Sequence, residues 1–369
     1  MMQMAALVTL LAFGQGEPKP EVERTTSAER LAQDLAGLKT STARQAQGEL
    51  HKLVMEVVSK HLAVMQGEPF APSTLGGVKR KELEFCQAWN TPSADRAGAI
   101  PAQDFKNPDQ LPALLCAYSK ALKEMGVELL VVPIPLRLQV YPEHLTGVPA
   151  QKDFAGYDAG MAPTLQFLAE SGVEVLDLLP VFAAQRYSES KEHDARLYFD
   201  FDVHWTPRGC LLAAEEIARR IQGSDWFVQG SDTAGKDFIV RSFRGTWTVA
   251  KNRRYDVAAA KKPIDVWFEK VVNDKGASAH KRNSGSPIML VGDSFSGLFK
   301  SESADIASSL YARFGQSLDV ISIPGGGSAL WKSIGRRRRE TIEGKRVVIW
   351  LCSVLDFGRA CKPGPLFKD

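Results

Sequence analysis

Charge of one sign is nearly missing as an excess: 46 Lys and Arg stand against 43 Asp and Glu, a formal net charge of +3. With a pI near 8.5, the chain lacks the strongly basic field that nucleic acid attracts, and it carries no nucleic-acid recognition motif. Apolar runs of the length that crosses a bilayer, about 20 residues, are also missing. The cysteines number 5, namely Cys86, Cys116, Cys210, Cys352 and Cys361. Their odd count and irregular spacing exclude the paired pattern of a metal site. Cys210 and Cys352 sit inside apolar runs and are expected to be buried thiols. In an exported protein, Cys86 and Cys116 would be the first pair to test for a disulfide. Phosphate-loop and dinucleotide fingerprints are absent, as are internal repeats, so no cofactor and no metal is implied.

What is present suits a globular enzyme. The 369 residues are 44% hydrophobic and 24% charged, with 30 glycines. That is enough for one large domain, or one domain with an insertion. Met4 to Phe13 forms a short apolar run, followed by Gly14 and a polar stretch to Pro20. It resembles the apolar region of a secretory signal, with Ala12-Phe13-Gly14 as a small-x-small cleavage site, although Met1-Met2-Gln3 brings no positive charge. Residues 1–16 are therefore expected to be a signal peptide, and the protein periplasmic or otherwise extracytoplasmic.

Residues 17–110 are expected to form an N-terminal helical and loop region. Leu31, Leu35, Leu38, Leu50, Leu53, Val54, Val57 and Val58 recur at three or four, which predicts a helix or helix pair over 28–66. Residues 67–112 are rich in loop formers. From Leu111 the pattern alternates. Helices are predicted over 111–125, 162–171, 209–221, 304–314 and 329–342, and buried strands over 127–135, 173–179, 288–291, 318–323 and 346–352. Such alternation predicts a parallel sheet covered on both faces, with ligands outside the carboxyl ends of the strands. Residues 223–286 break the rhythm with short alternating runs such as 237–240 and 264–268, and predict an insertion with some β structure. Arg336 to Arg339 is expected to be a solvated helix face, and residues 357–369 a C-terminal tail.

The chemistry concentrates at Gly292-Asp293-Ser294-Phe295-Ser296, directly after the apolar strand Ile288–Val291. A serine there lies at the carboxyl edge of the sheet, where the N–H groups of a following helix would favour an oxyanion. Its hydroxyl needs a base within reach to act as a nucleophile. The candidate lies upstream in Asp202-Val203-His204-Trp205, before Thr206-Pro207-Arg208-Gly209. His204 would take the proton and Asp202 would orient the imidazole, with Asp200 as a competing orienter. Asp293 is expected to form the turn, and Ser296 and Ser328 to cap helices.

These residues resemble a family. Gly292-Asp293-Ser294 is similar to the first block of SGNH (GDSL-type) hydrolases, and Gly325–Gly327 stand where that fold places an oxyanion glycine. The strand Val347–Leu351 is followed by Cys352-Ser353-Val354-Leu355-Asp356, without the family's Gly-x-Asn-Asp. The Asp/His block precedes the serine instead of following it, as a circular permutation would produce. In this order, Asp-x-His-Trp with Gly-Asp-Ser resembles the SGNH-like domain of the periplasmic alginate O-acetyltransferases, over roughly residues 110–356.

The resemblance implies an α/β, three-layer fold with a parallel sheet over residues 111–356, a permuted motif order and the partly β insertion at about 223–286. It implies a triad of Ser294, His204 and Asp202, with an oxyanion hole from the N–H groups of Ser294, Gly325 and Gly326. Loss of one such donor typically costs about 3 kcal/mol, and Ser353 is a conceivable substitute for the missing Asn. Trp205, Arg137 and Tyr141 are expected near the substrate. The implied activity is acetyl transfer to hydroxyls of a polysaccharide through an acetyl-serine, with a membrane-bound O-acyltransferase as the acetyl source. Two alternatives stay open: a carbohydrate acetylesterase or lipase-like hydrolase using the same triad, and a non-catalytic polysaccharide-binding or assembly protein.

Overall fold

The computed structural model describes residues 41–66, 105, 107, 109–148, 154–187, 196–199, 203–229, 238–247, 264–326, 330, 339–358 and 361. In chain order they form α1 (Ser41–Gln66), α2 (Leu111–Glu124), β1 (Glu128–Ile134), α3 (Arg137–Val140), α4 (Pro142–Thr146), α5 (Ala162–Glu170), β2 (Glu174–Val175), α6 (Leu179–Gln185) and α7 (Pro207–Gln222). There follow β3 (Phe238–Trp247), β4 (Ile264–Asn273), β5 (Ile288–Gly292), α8 (Ser294–Gly297), α9 (Ile306–Phe314), β6 (Asp319–Ser322), α10 (Arg339–Glu343) and β7 (Val347–Ser353). Among the described residues, no helix is long and apolar enough to cross a membrane.

Five strands form one sheet in the order β2-β1-β7-β5-β6, and every pairing in it is parallel. The strands are buried on both sides, and this is why they read as near-continuous apolar runs. Alternate residues feed two cores. Leu130, Val132, Ile288, Leu290, Ile349 and Leu351 pack on one face with α7 and α9. Leu129, Val131, Met289, Val291, Val348 and Trp350 pack on the other with α2 and α5. The expected three layers follow from this alternation.

Counted from β5, the spatial order reads second, first, third, fourth, fifth, a doubly wound order whose switch point lies between β5 and β7. The chain enters that sheet at its fourth strand, as the permuted motif order requires. Sequence motifs at the ends of β5 and β7 therefore share the crevice where such folds bind ligands.

Helix ends follow their sequence signals. Gly126 and Gly172, both at positive φ, come directly after the turns that end α2 and α5. Thr206 caps α7 by accepting from Gly209 N, with Pro207 at its first position.

Several expectations are corrected. The strand expected over 173–179 pairs only at Glu174 and Val175. Asp177 then accepts from Leu179 N at 2.9 Å, and Pro180 opens α6, so the chain turns away. The insertion is partly β, as expected, but its strands are longer than the runs at 237–240 and 264–268: β3 and β4 pair antiparallel over ten residues each, as a separate sheet. Its Val266, Phe268 and Val271 join the core beside α7 and α9. The helix predicted over 304–314 starts at Ile306 because Asp305 caps it.

In the N-terminal region the described helix is α1, while 28–40 lies outside the described residues. Its Val54 is buried with Leu138 and Tyr157. Of the helix expected over 329–342, only α10 is described. Arg336 to Arg338 lie outside the described residues, and Arg339 pairs with Glu343 at 2.8 Å. Cys86 and most of the C-terminal tail are likewise outside. Cys210 and Cys352 are buried free thiols, as expected.

Candidate active site

β5 delivers Ser294 to the carboxyl edge of the sheet. Asp293 makes the turn: its carboxylate accepts from Phe295 N at 2.9 Å, and the one-turn helix α8 begins at Ser294. The helix expected just after the serine is this single turn, so no large helix dipole points at this site. The local N–H geometry has to do the work instead.

His204 arrives on a short antiparallel ladder. Phe199 N donates to His204 O at 3.3 Å and Thr206 N to Leu197 O at 2.9 Å, with a bridge between Tyr198 and Trp205. The ladder is pressed onto the first turn of α7. A Cβ on Gly209 would lie 2.5 Å from Leu197 O, so only glycine permits this approach. The capping hydroxyl of Thr206 donates to Arg196 O at 2.6 Å and ties the ladder to the helix start.

These two constructions meet. His204 Nε2 lies 2.8 Å from Ser294 Oγ across a separation of 90 residues, within the range a general base requires. The imidazole also rests against Phe295, with ring centroids 4.8 Å apart. Asp202 and the competing Asp200 lie outside the described residues.

The other sequence candidates divide. Trp205 is 0% exposed and meets Phe295 edge-on at 5.2 Å, so it backs the site and does not face a ligand. Tyr141 is also buried. Its hydroxyl donates to Arg186 O at 3.1 Å and accepts from Leu197 N at 3.0 Å, which anchors the His204 ladder to the end of α3. Burial pushes that phenol up to about 12, against the opposing pull of the Leu197 N–H and the cations Arg208 and Arg137. Arg137 is buried at the start of α3.

The glycine loop after β6 is close to the serine. Ile323 N donates to Gly292 O at 3.0 Å, which brings the following turn beside Asp293. Gly325 has φ +71°, and Gly326 N donates to Ile323 O at 2.8 Å, a turn with proline second and glycine third. The Gly326 N–H is therefore spent within the turn, and Gly325 is the better oxyanion candidate of the two. Gly327 and Ser328 lie outside the described residues. Ser353 Oγ accepts from Leu355 N at 3.3 Å at the end of β7.

Ser296 does not cap a following helix. Its hydroxyl donates back to Asp293 O at 2.7 Å. Ser322, which the sequence analysis missed, reaches the same oxygen at 3.2 Å; a serine at a strand end gives no signal in sequence.

A cavity opens at the same sheet edge, lined by Pro133, Pro135, Met161, Leu179 and Val354 among others. Its lining includes neither Ser294 nor His204, so the chemistry is located by their contact and not by the cavity. Among the described residues no cluster could hold a metal ion.

Comparisons with known proteins bear on the fold and the family. Residues 96–351 match the SGNH hydrolase-like domain of the acetyltransferase AlgX. The chain is 30% identical over 191 residues to the alginate biosynthesis protein AlgX of Pseudomonas aeruginosa, covering 50% of this chain and 38% of that protein. It is 25% identical over 193 residues to a probable alginate O-acetylase AlgJ of Pseudomonas fluorescens, covering 50% of this chain and 46% of that one. The chain thus spans less than half the length of these curated relatives. The O-acetyltransferase domain of Pseudomonas putida AlgJ superimposes with a TM-score of 0.53 at 16% identity, over 72% of this chain and 88% of that one, a likeness of fold. By its matched domain, its sheet order and its Gly-Asp-Ser strand end, this chain belongs to the family of SGNH hydrolase-like acetyltransferase domains of the AlgX type.

Proposed function

We propose that this protein is an O-acetyltransferase that moves an acetyl group onto hydroxyls of an exported polysaccharide through an acetyl-Ser294 intermediate. The observation that carries the reading is the 2.8 Å contact between Ser294 Oγ and His204 Nε2. Names of relatives supply the acyl class: an alginate biosynthesis protein and a probable alginate O-acetylase.

In the first half-reaction Ser294 Oγ bonds to the acyl carbon of the donor while His204 takes its proton. The resulting oxyanion is held by backbone N–H groups of Ser294 and Gly325. Collapse breaks the bond to the leaving group, which takes the proton from His204. In the second half a sugar hydroxyl gives its proton to His204 and attacks the acetyl carbon, and Ser294 regains its hydroxyl. Asp202 holds the imidazole tautomer. The acetyl source is a membrane-bound O-acyltransferase, and the protein works outside the cytoplasm after loss of residues 1–16. A polymer rich in carboxylates suits the slightly basic balance of the chain.

The test is mass spectrometry after incubation with an activated acetyl ester and a uronate oligosaccharide. Acetyl should appear on Ser294 and then on the sugar, faster than acetate is released. Sugar that is only deacetylated, and never gains acetyl, would replace this reading with the esterase.

A further inference from the structure

We propose that Ser296 and Ser322 are positioning residues that aim the Ser294 backbone N–H at the oxyanion. The inference rests on Ser294 carrying the acyl group. Three donors converge on one carbonyl oxygen, that of Asp293: Ser296 N at 3.1 Å, Ser296 Oγ at 2.7 Å and Ser322 Oγ at 3.2 Å. The two hydroxyl oxygens are themselves 2.9 Å apart. Ser296 is 0% exposed, so the carbonyl is drawn inward, toward the β5–β6 side.

The carbonyl and the N–H of one trans peptide are coplanar and point in opposite directions, and the described residues contain no cis peptide. Holding the Asp293 carbonyl inward therefore turns the Ser294 N–H outward. The torsion that sets this plane, ψ of Asp293, is −147°. A one-turn helix follows, so the orientation has no extended helix to rely on. The two hydroxyls supply it together with the Ser296 N–H.

The surroundings are shaped for them. Ser322 is the register partner of Gly292 across β5 and β6. A Cβ on Gly292 would lie 2.7 Å from Ser296 Oγ, and one on Gly297 would lie 2.7 Å from Ser322 Oγ. Both glycines make room for these side chains. The Gly-x-x-x-x-Gly spacing around Ser294 thus has a use beyond the turn.

The test compares Ser296→Ala, Ser322→Val and Ser322→Thr in turnover of an acetyl ester. Val and Thr are near-isosteric, so their difference isolates the hydroxyl. Ser296→Ala and Ser322→Val should lower kcat about 10- to 100-fold with KM changed less than about twofold, because the oxyanion contact exists only in the tetrahedral state. Affinity for a boronic acid that forms a tetrahedral adduct should fall by the same factor, and the pH midpoint of kcat should not move, since His204 is untouched. Ser322→Thr should restore most of the lost rate. Wild-type kcat in a folded Ser296→Ala protein, or equal loss in Ser322→Val and Ser322→Thr, would overturn the positioning role. Ser294→Ala separates the two claims: turnover surviving there overturns the acyl-serine itself, whereas its loss beside an unaffected Ser296→Ala overturns only the positioning.

Discussion

The ring of Trp247 meets that of Phe299 edge-on, with centroids 4.9 Å apart. Trp247 ends β3 of the insertion, and Phe299 follows α8 closely at φ +66°. Trp247 also stacks on Phe199 at 6.1 Å, which belongs to the ladder carrying His204. Phe268 of β4 packs on Phe299 from the other strand. The hairpin therefore braces both segments whose side chains form the Ser294–His204 contact.

Trp247→Ala should for that reason cost activity as well as stability. The ring is partly buried, so the loss of stability should be about 2–3 kcal/mol, below the ~3–5 kcal/mol of a fully buried aromatic. Chemical denaturation measures the first effect, and kcat against an acetyl ester in the remaining folded protein measures the second. Trp247→Phe, which keeps an aromatic face, should recover most of both. A destabilised Trp247→Ala variant with an unchanged kcat would mean that the brace is only structural.

Replacing Ser294 or His204 by alanine should each lower acetyl-ester turnover by roughly 10³-fold or more, and the double variant should be hardly worse than either. Groups that act as one unit lose their contribution together. Release of p-nitrophenol from its acetate is the readout. Asp202→Asn belongs in the same series, with a smaller but still large loss. Additive losses, with the double variant far below both singles, would show that the 2.8 Å contact does not work as a catalytic pair.

The parallel sheet and its serine were legible because buried strands are unbroken apolar runs and Gly-Asp-Ser interrupts one abruptly. Trp205 lies behind the site for a physical reason. Consecutive residues of an extended ladder point to opposite sides, so turning His204 toward Ser294 sends Trp205 into the core. The anchoring role of Tyr141 was not legible because its partners, Leu197 N and Arg186 O, are backbone groups remote in sequence. The hairpin's length was hidden because Arg241, Ser242, Phe243 and Arg244 stay exposed and do not alternate as a half-buried strand would. Ser322 gave no signal, since its role depends on which strand lies next to β5.

At the opposite edge of the sheet, Lys345 and Asp319 form a buried ion pair at 3.2 Å, with side chains 1% and 0% exposed. Lys345 Nζ also donates to Ser286 O at 2.9 Å, and Arg282 reaches Asp319 at 2.8 Å. Lys345→Met should leave the buried carboxylate with only Arg282 as a cation and cost the lower part of roughly 3–5 kcal/mol. Adding Asp319→Asn should recover part of that loss. Urea denaturation of the two variants tests the coupling; equal stability of single and double variants would mean that the pair is not energetically linked. Catalysis in folded protein should be unaffected, because the pair sits at the amino end of β6.

His280 sets an acid limit on the fold. Burial lowers its pKa below the ordinary 6.5, opposed by the negative charge of Asp305, and the ring accepts from Leu318 N at 3.4 Å, a contact that needs the neutral imidazole. The ring also packs edge-on against Tyr311 at 6.0 Å. A histidine kept neutral by folding binds fewer protons in the native state than in the unfolded chain. Its contribution to stability is therefore complete above pH 6.5 and declines as pH falls from there toward the lowered native value. His280→Gln, which cannot ionise and keeps an acceptor for Leu318 N, should flatten this part of the stability profile while leaving the deeper acid loss from carboxylates in place. Thermal melts from pH 7.5 to 4.5 would measure it. Identical slopes for the two proteins between pH 6.5 and 5 would show that His280 protonates equally well in the folded state, and that burial against Tyr311 does not hold it neutral.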